Sequence, residues 1–193
     1  MAKYGVVETT KITEICYDFI NATTAIENGW VVKKGDLVTG ERNIYNAAVP
    51  ATTDKVYLVA NPAWSYKNEV SEQAEDQYIN VAGKAFRVYG LAATNKFGVT
   101  DYTITPVNSS TPIAVGDYIG VDGTTMKLKD LGTTEPTGVG FYGKVTEIEE
   151  YGIFSCINVA TVTSPSGNPP TGGGEIVAEG KKIVIEVVQN ETV

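Results

Sequence analysis

Carboxylates are the first residues to weigh for chemistry. Glu147 and Glu149 stand two apart in a segment that reads as a strand, so they share one face. Glycosidases use such a pair as acid and nucleophile or base. Glu69, Glu72, Glu75, Asp76 and Glu150 extend the set. Acidic side chains usually form a solvated face, and nothing else in the sequence orders these into a pair, so they are read as surface. Asp117 and Asp122, each beside a glycine, echo a calcium loop without the regular ligand spacing such a loop needs, and are read as turn formers. Gly138-Val139-Gly140-Phe141-Tyr142-Gly143 has dinucleotide-fingerprint spacing, but a charged β run follows it. The helix N-terminus that would hold a pyrophosphate is missing.

The 193 residues include no histidine. The usual proton shuttle and the commonest metal ligand are thereby removed, and with them the His-assisted serine and cysteine hydrolases. The expectation is a non-enzyme with no catalytic residue, no metal and no cofactor. Cys16 and Cys156 lie far apart; they are read as free thiols, with a bridge left open. A net charge of −8 disfavours nucleic acid as partner, since phosphate binding needs clustered Lys and Arg. Met1-Ala2-Lys3-Tyr4-Gly5 has no apolar signal region, and no apolar run approaches the roughly 20 residues of a membrane helix. A soluble protein made inside the cell, with no membrane partner, is expected.

Aromatic side chains are the remaining chemical signal. Trp30, Trp64, Tyr66, Tyr78, Phe86, Tyr89, Tyr102, Tyr118, Phe141, Tyr142 and Tyr151 offer a stacking platform for a sugar, or a protein interface, or simply core. Trp64 and Tyr66 stand out because they follow a strand end and precede the most polar part of the chain, Lys67 to Gln77.

The elements that would position these residues are strands. Lys55-Val56-Tyr57-Leu58-Val59-Ala60 reads as a buried strand stopped by Asn61-Pro62. Lys84 to Leu91 alternates with Phe86, Val88 and Gly90 on one face, and Phe97 to Thr105 alternates as well. Further strands are expected around Ile15–Phe19, Trp30–Val38 (broken at Lys34-Gly35-Asp36) and Ile44–Tyr45. The run from Gly138 to Glu149 is a long strand with glycine bulges, and Ile153 to Val162 is expected to return against it. Asp122-Gly123 between alternating runs predicts a tight hairpin from Tyr118 to Leu128. The fold class is all-β. The core is an antiparallel barrel or sandwich, with an extended N-terminal arm (residues 1–10), a long polar loop (62–82) and a linker-tethered C-terminal β segment.

Three regions are expected: a β-rich core with its arm over 1–162, a Pro/Gly/Ser/Thr linker over 163–174, and a C-terminal strand or hairpin over 175–193. The C-terminal piece must dock on its own domain or on another subunit, since a lone hairpin is marginal in water. Tyr4, Val6 and Val7 in the arm, Trp64 and Tyr66 in the loop, and Ile183 and Ile185 in the tail are the candidate interface residues.

Several short phrases together resemble head decoration (capsid auxiliary, or cement) proteins of tailed bacteriophages. They are Met1–Val7, Ala25-Ile26-Glu27-Asn28-Gly29-Trp30-Val31-Val32, Gly40-Glu41-Arg42-Asn43-Ile44-Tyr45, Tyr57-Leu58-Val59-Ala60, Val115-Gly116-Asp117-Tyr118-Ile119 and Gly143-Lys144-Val145-Thr146-Glu147-Ile148. The resemblance spans residues 1–162 and carries no diagnostic motif. It implies a non-enzymatic virion structural protein, made in the host cytoplasm and bound to the capsid surface. Its partner would be the major capsid protein, and it would act as a homo-oligomer, a trimer first among the options. The other reading of the same residues is a carbohydrate-binding or host-adhesion β module, with Trp64 and Tyr66 as stacking residues.

Overall fold

The computed structural model describes residues 4–63, 78–108, 111–152 and 179–193. Apart from a single 3-10 turn, Asp101–Thr103, the regular structure within them is β. Twelve strands divide between two units: β1 (Val7–Lys11), β2 (Cys16–Ile20), β3 (Val31–Leu37), β4 (Ile44–Ala48), β5 (Tyr57–Val59), β6 (Ala85–Gly90), β7 (Lys96–Thr100), β8 (Ile104–Thr105), β9 (Tyr118–Val121), β10 (Leu128–Gly132), β11 (Phe141–Gly152) and β12 (Glu179–Asn190). One is a closed barrel, β2-β4-β3-β5-β6; the other is a seven-stranded sheet, β1-β7-β12-β11-β9-β10-β8. A barrel and an open sheet thus occur together, where the sequence offered a barrel or a sandwich. Most pairs are antiparallel, but β2 with β4 and β10 with β8 run parallel. No helix among the described residues is long and apolar enough to cross a membrane.

Period-2 side-chain alternation assigns the residues of β3 and β5 to two different cores. Val31, Val56 and Leu58 join the sheet core with Phe97, Ile119, Phe141, Ile183 and Ile185. Val32 and Val59 face the other way, into the barrel with Phe19, Phe86 and Val88. A strand buried on both faces needs a continuous apolar run, which is what Val56 to Ala60 supplies.

Of the two dockings open to the C-terminal strand, the structure has the one on its own chain. β12 is third in the sheet, paired with β11 from Phe141↔Asn190 to Gly152↔Glu179 and with β7 on its other side. It is a central strand of its own chain's sheet, not an appended piece able to dock elsewhere. Ile183 and Ile185 are 1% and 0% exposed, so they are core residues and offer no surface to a partner. The partner of β11 along its length is β12; the expected return strand, Ile153 to Val162, lies outside the described residues, as does the linker 163–174. The register shift at Tyr142/Gly143 bears out the glycine bulge read from the sequence, and a second shift, at Val145/Glu147, has no glycine.

The Asp-Gly hairpin also forms, with a different loop. β9 and β10 pair with Leu128 opposite Val121, so six residues, Asp122 to Lys127, connect them. Gly116 and Gly123 take the positive φ values that the turn chemistry requires (+99° and +79°). The connection is longer than a two-residue turn because it reaches the barrel. Met126 packs among Phe19, Val32 and Phe86, and its carbonyl accepts from Val31 N–H at 2.7 Å.

Asn190, only 7% exposed, pins the end of β12 to the strands bordering both cores. Its Nδ2 donates to Val56 O and Leu91 O, and its Oδ1 accepts from Val56 N–H, all at 2.9 Å. Asn190→Ala would leave three buried backbone groups unsatisfied, at about 1–3 kcal/mol each. Urea unfolding of this variant is expected to show a loss of roughly 3 kcal/mol or more. A loss under 1 kcal/mol would mean that water replaces the amide and that the pin is not structural.

Candidate partner-binding edge

The N-terminal segment is extended, as expected, but it lies on its own sheet. β1 pairs with β7 at Val7↔Val99 and Glu8↔Gly98. Before it, Val6 N–H donates to Thr100 Oγ1 and Thr100 N–H donates to Val6 O, both at 3.3 Å. Gly5 explains how the chain gets so close: a Cβ there would stand 1.9 Å from Asn28 O and 2.6 Å from Thr103 Cγ2. Glu27, half-buried, accepts from Gly5 N–H; burial nevertheless pushes its carboxyl above the usual range. Tyr102 donates its hydroxyl to Tyr4 O. These contacts seat Tyr4, Val6 and Val7 in fixed positions. Val7 packs partly on the sheet core, and all three remain half-exposed.

β1 forms one end of the sheet, with no strand on its outer side among the described residues. Two concavities flank it. A groove of about 350 Å³ is lined by Val6, Val7, Glu8, Thr10, Thr100 and Lys182. A cleft of about 150 Å³ sets Val6 and Val7 beside Asn28, Asn61, Pro62 and Ala63. The second places the arm next to the root of the long polar loop.

That root is rigid. Ile26 and Asn80 form an antiparallel bridge, with backbone bonds of 2.9 and 3.0 Å. Asn28 Oδ1 accepts from Asn61 N–H at 3.0 Å and from Asn80 Nδ2 at 3.1 Å, while Asn28 Nδ2 donates to Asn61 O. Asn61 Nδ2 donates to the Tyr78 hydroxyl at 2.6 Å. The two ends of the loop, at Ala63 and Tyr78, are thus held by three asparagines, a role the sequence did not reveal. Trp64 and Tyr66 lie outside the described residues, as do Glu69, Glu72, Glu75 and Asp76; the chain leads to them from Ala63 beside Val6 and Val7.

The carboxylates weighed for acid–base work are placed otherwise. Glu149 binds Lys182 Nζ at 2.6 Å, and the same ammonium binds Glu8 at 2.7 Å. Lys96 pairs with Glu186 at 2.9 Å on the same sheet. Glu147 borders this network, in which Glu149 is engaged by a lysine. Both aspartates of the hairpin are turn formers. Asp117 accepts from Ala114 N–H at 2.7 Å, and Asp122 accepts from the hydroxyls of Thr124 and Thr125, each at 2.8 Å. Those hydroxyls, Thr125 first, hold the Asp122 carboxyl below its ordinary range. No group of three or more potential metal ligands occurs among the described residues. Cys16 is a free, exposed thiol, and Cys156 lies outside the described residues.

The Lys182 bridge ties β1 to the centre of the sheet, and its pH dependence has a definite sign. Hydrogen bonds from Lys182 and then Thr10 hold the Glu8 carboxyl below its ordinary value of 4.5. Glu149 and then Glu8 raise Lys182 above 10.5. The stabilisation from Glu8 is therefore present above pH 4.5 and lost as pH falls through the lower folded value; that from Lys182 is lost as pH rises past its raised value. Glu8 is 41% exposed, so solvent screening limits its share to about 0.5 kcal/mol. Between pH 6 and pH 3 the wild type is expected to lose that much more urea stability than Lys182→Met, with Glu27 titrating in both proteins. Parallel pH profiles would show that the bridge contributes nothing to holding β1.

Comparison of the chain with protein-family models, with curated proteins and with solved structures finds no match in any of the three.

Proposed function

We propose that this chain is a non-enzymatic virion structural protein that binds the outer surface of a bacteriophage capsid and stabilises it. The major capsid protein is its partner, it works as a homo-oligomer such as a trimer, and its place is the capsid surface. The observation that carries this reading is the open edge at β1. It presents Tyr4, Val6 and Val7 beside the fixed root from which Trp64 and Tyr66 follow.

The reading follows from what a capsid clamp needs. Affinity must come from a surface already held in shape, because ordering a loose segment on binding costs free energy. A sheet edge adds main-chain hydrogen bonds to a partner strand, and apolar side chains beside it select that partner. β1 has both, and the asparagine-tied loop root lies close enough to share the contact. The phrases that resemble head decoration proteins include Met1–Val7 and Ala25–Val32, and Gly5 of the first lies against Asn28 of the second.

Co-sedimentation of the purified full-length chain with phage capsids that lack it tests the reading. Deleting the arm would remove β1 from the sheet, so point variants are the better probes. Val6→Lys and Trp64→Ala are each expected to weaken capsid binding by roughly tenfold, about 1.4 kcal/mol, with the fold retained by circular dichroism. A wild-type chain that ignores capsids would overturn the proposal. If that chain instead bound a glycan in a Trp64→Ala-sensitive way, the adhesion-module reading would replace it.

A further inference from the structure

The interior of the barrel is not uniformly apolar. Along β3, Val32 faces inward, Lys33 faces out to bind Asp54 at 2.8 Å, and Lys34 faces inward again. Along β2, Tyr17 and Phe19 face in while Cys16 and Asp18 are exposed. Tyr45 on β4 and Tyr57 on β5 pack against the same interior. Phe19 and Phe86 are 0% and 3% exposed inside the barrel, whereas Lys34, Tyr17, Tyr45 and Tyr57 are half-buried.

The cluster is tight. Tyr57 meets Phe19 at 5.3 Å and Tyr17 edge-on at 5.5 Å, and Tyr45 lies 6.1 Å from Phe19. Lys34 Nζ stands 3.8 Å from the ring centre of Tyr45 and 5.3 Å from that of Tyr17. Ring faces attract an ammonium, but they do not fill its N–H directions. Lys34 has no ion pair among the described residues: Asp18 sits on the outer face of β2, and Asp36 is exposed past the bulge in β3. The hydroxyls of Tyr17, Tyr45 and Tyr57 have no hydrogen-bond partner among the described residues either. Burial, with the neighbouring phenols of Tyr17 and Tyr45, pushes the Tyr57 hydroxyl above its ordinary range, which keeps it a proton donor.

We propose that the half-buried cluster around Lys34 is a carboxylate-binding site, in which Lys34 supplies the positive charge and the phenols of Tyr17, Tyr45 and Tyr57 supply hydrogen bonds. One cation and phenol donors with no ionised acceptor call for an anion of low charge. A carboxylate bonds well to an ammonium and to hydroxyls, and its aliphatic stem fits against tyrosine rings. The net charge of −8 on the whole chain repels polyanions, which sets a single carboxylate apart from nucleic acid or polyphosphate. The carboxylate is either a free aliphatic acid or a Glu or Asp side chain offered by a protein partner. This inference uses none of the β1 edge and stands or falls separately from the capsid reading.

The test is an NMR titration of the full-length protein, following the ring signals of its tyrosines. Sodium butyrate is one probe and a capped Gly-Glu-Gly peptide the other, with sodium chloride holding ionic strength constant. Saturable shifts confined to Tyr17, Tyr45 and Tyr57 are expected, with a dissociation constant of about 1 mM. Lys34→Met, which keeps the stem and removes the charge, should weaken binding at least about tenfold. Tyr45→Phe, which keeps the ring and removes the hydroxyl, should weaken it several-fold and serves if the lysine variant fails to fold. Binding of both probes assigns the site to a protein carboxylate; binding of butyrate alone assigns it to a free acid. No saturable shift with either probe, equal shifts from added chloride, or unchanged affinity in both variants would overturn the proposal.

Discussion

The structure depends on strands that are buried on both faces. Val31 and Val32, and Leu58 and Val59, are all 0% exposed, and each adjacent pair faces opposite cores. Burying such a side chain is worth roughly 1.5–3 kcal/mol. The larger consequence is geometric. One pleated wall serves as the floor of the sheet core and a side of the barrel, so neither unit can shift without disturbing the other. The β9–β10 loop reinforces the wall by placing Met126 in the barrel and taking the Val31 N–H bond. Asn190 does the same from the C-terminal end through Val56 and Leu91.

This arrangement explains which parts of the fold were legible in the sequence. The all-β class, the strand at Lys55–Ala60 and the alternation of Phe86, Val88 and Gly90 rest on local periodicity, and the structure has them. The glycine bulge of β11 was legible for the same reason. Connections made by tertiary contact were not. Asp122-Gly123 encodes a turn, but the demand for Met126 in the barrel lengthens the loop to six residues. Likewise, Lys34-Gly35-Asp36 looks like a break in a strand, yet β3 runs through it with a shift in register. The docking of the tail stayed open because a β-branched run of the form Ile-Val-Ile fits an edge, a hairpin or a central strand equally well.

The candidate surfaces divide along the same line. Tyr4, Val6 and Val7 are half-exposed, whereas Ile183 and Ile185, singled out with them in the sequence, are core. The tyrosines clustered around Lys34 were not singled out. Tyr17 and Tyr45 lie in separate short strands, and only the parallel pairing of β2 with β4 brings Phe19 opposite Tyr45 and so gathers them. The asparagine cluster of Asn28, Asn61 and Asn80 was invisible for a related reason. Asparagine in loops reads as turn chemistry, and its role as a buried cross-link emerges only when distant loops meet.

Strand order has a final consequence for the exposed edge. From the open end inward, the sheet takes β1 from the chain start, β7 from its middle, and β12 and β11 from its later part. The first strand therefore has no complete platform until the last has been made. Once formed, β1 is held by ladder bonds to β7, by the Lys182 bridge from β12 and by the close approach of Gly5 to Asn28. Its side chains are consequently presented in fixed positions instead of on a loose tail. A preorganised edge loses little conformational freedom on meeting a partner, so more of its contact energy remains as affinity. The same bonds that make β1 part of the fold also hold its side chains in place.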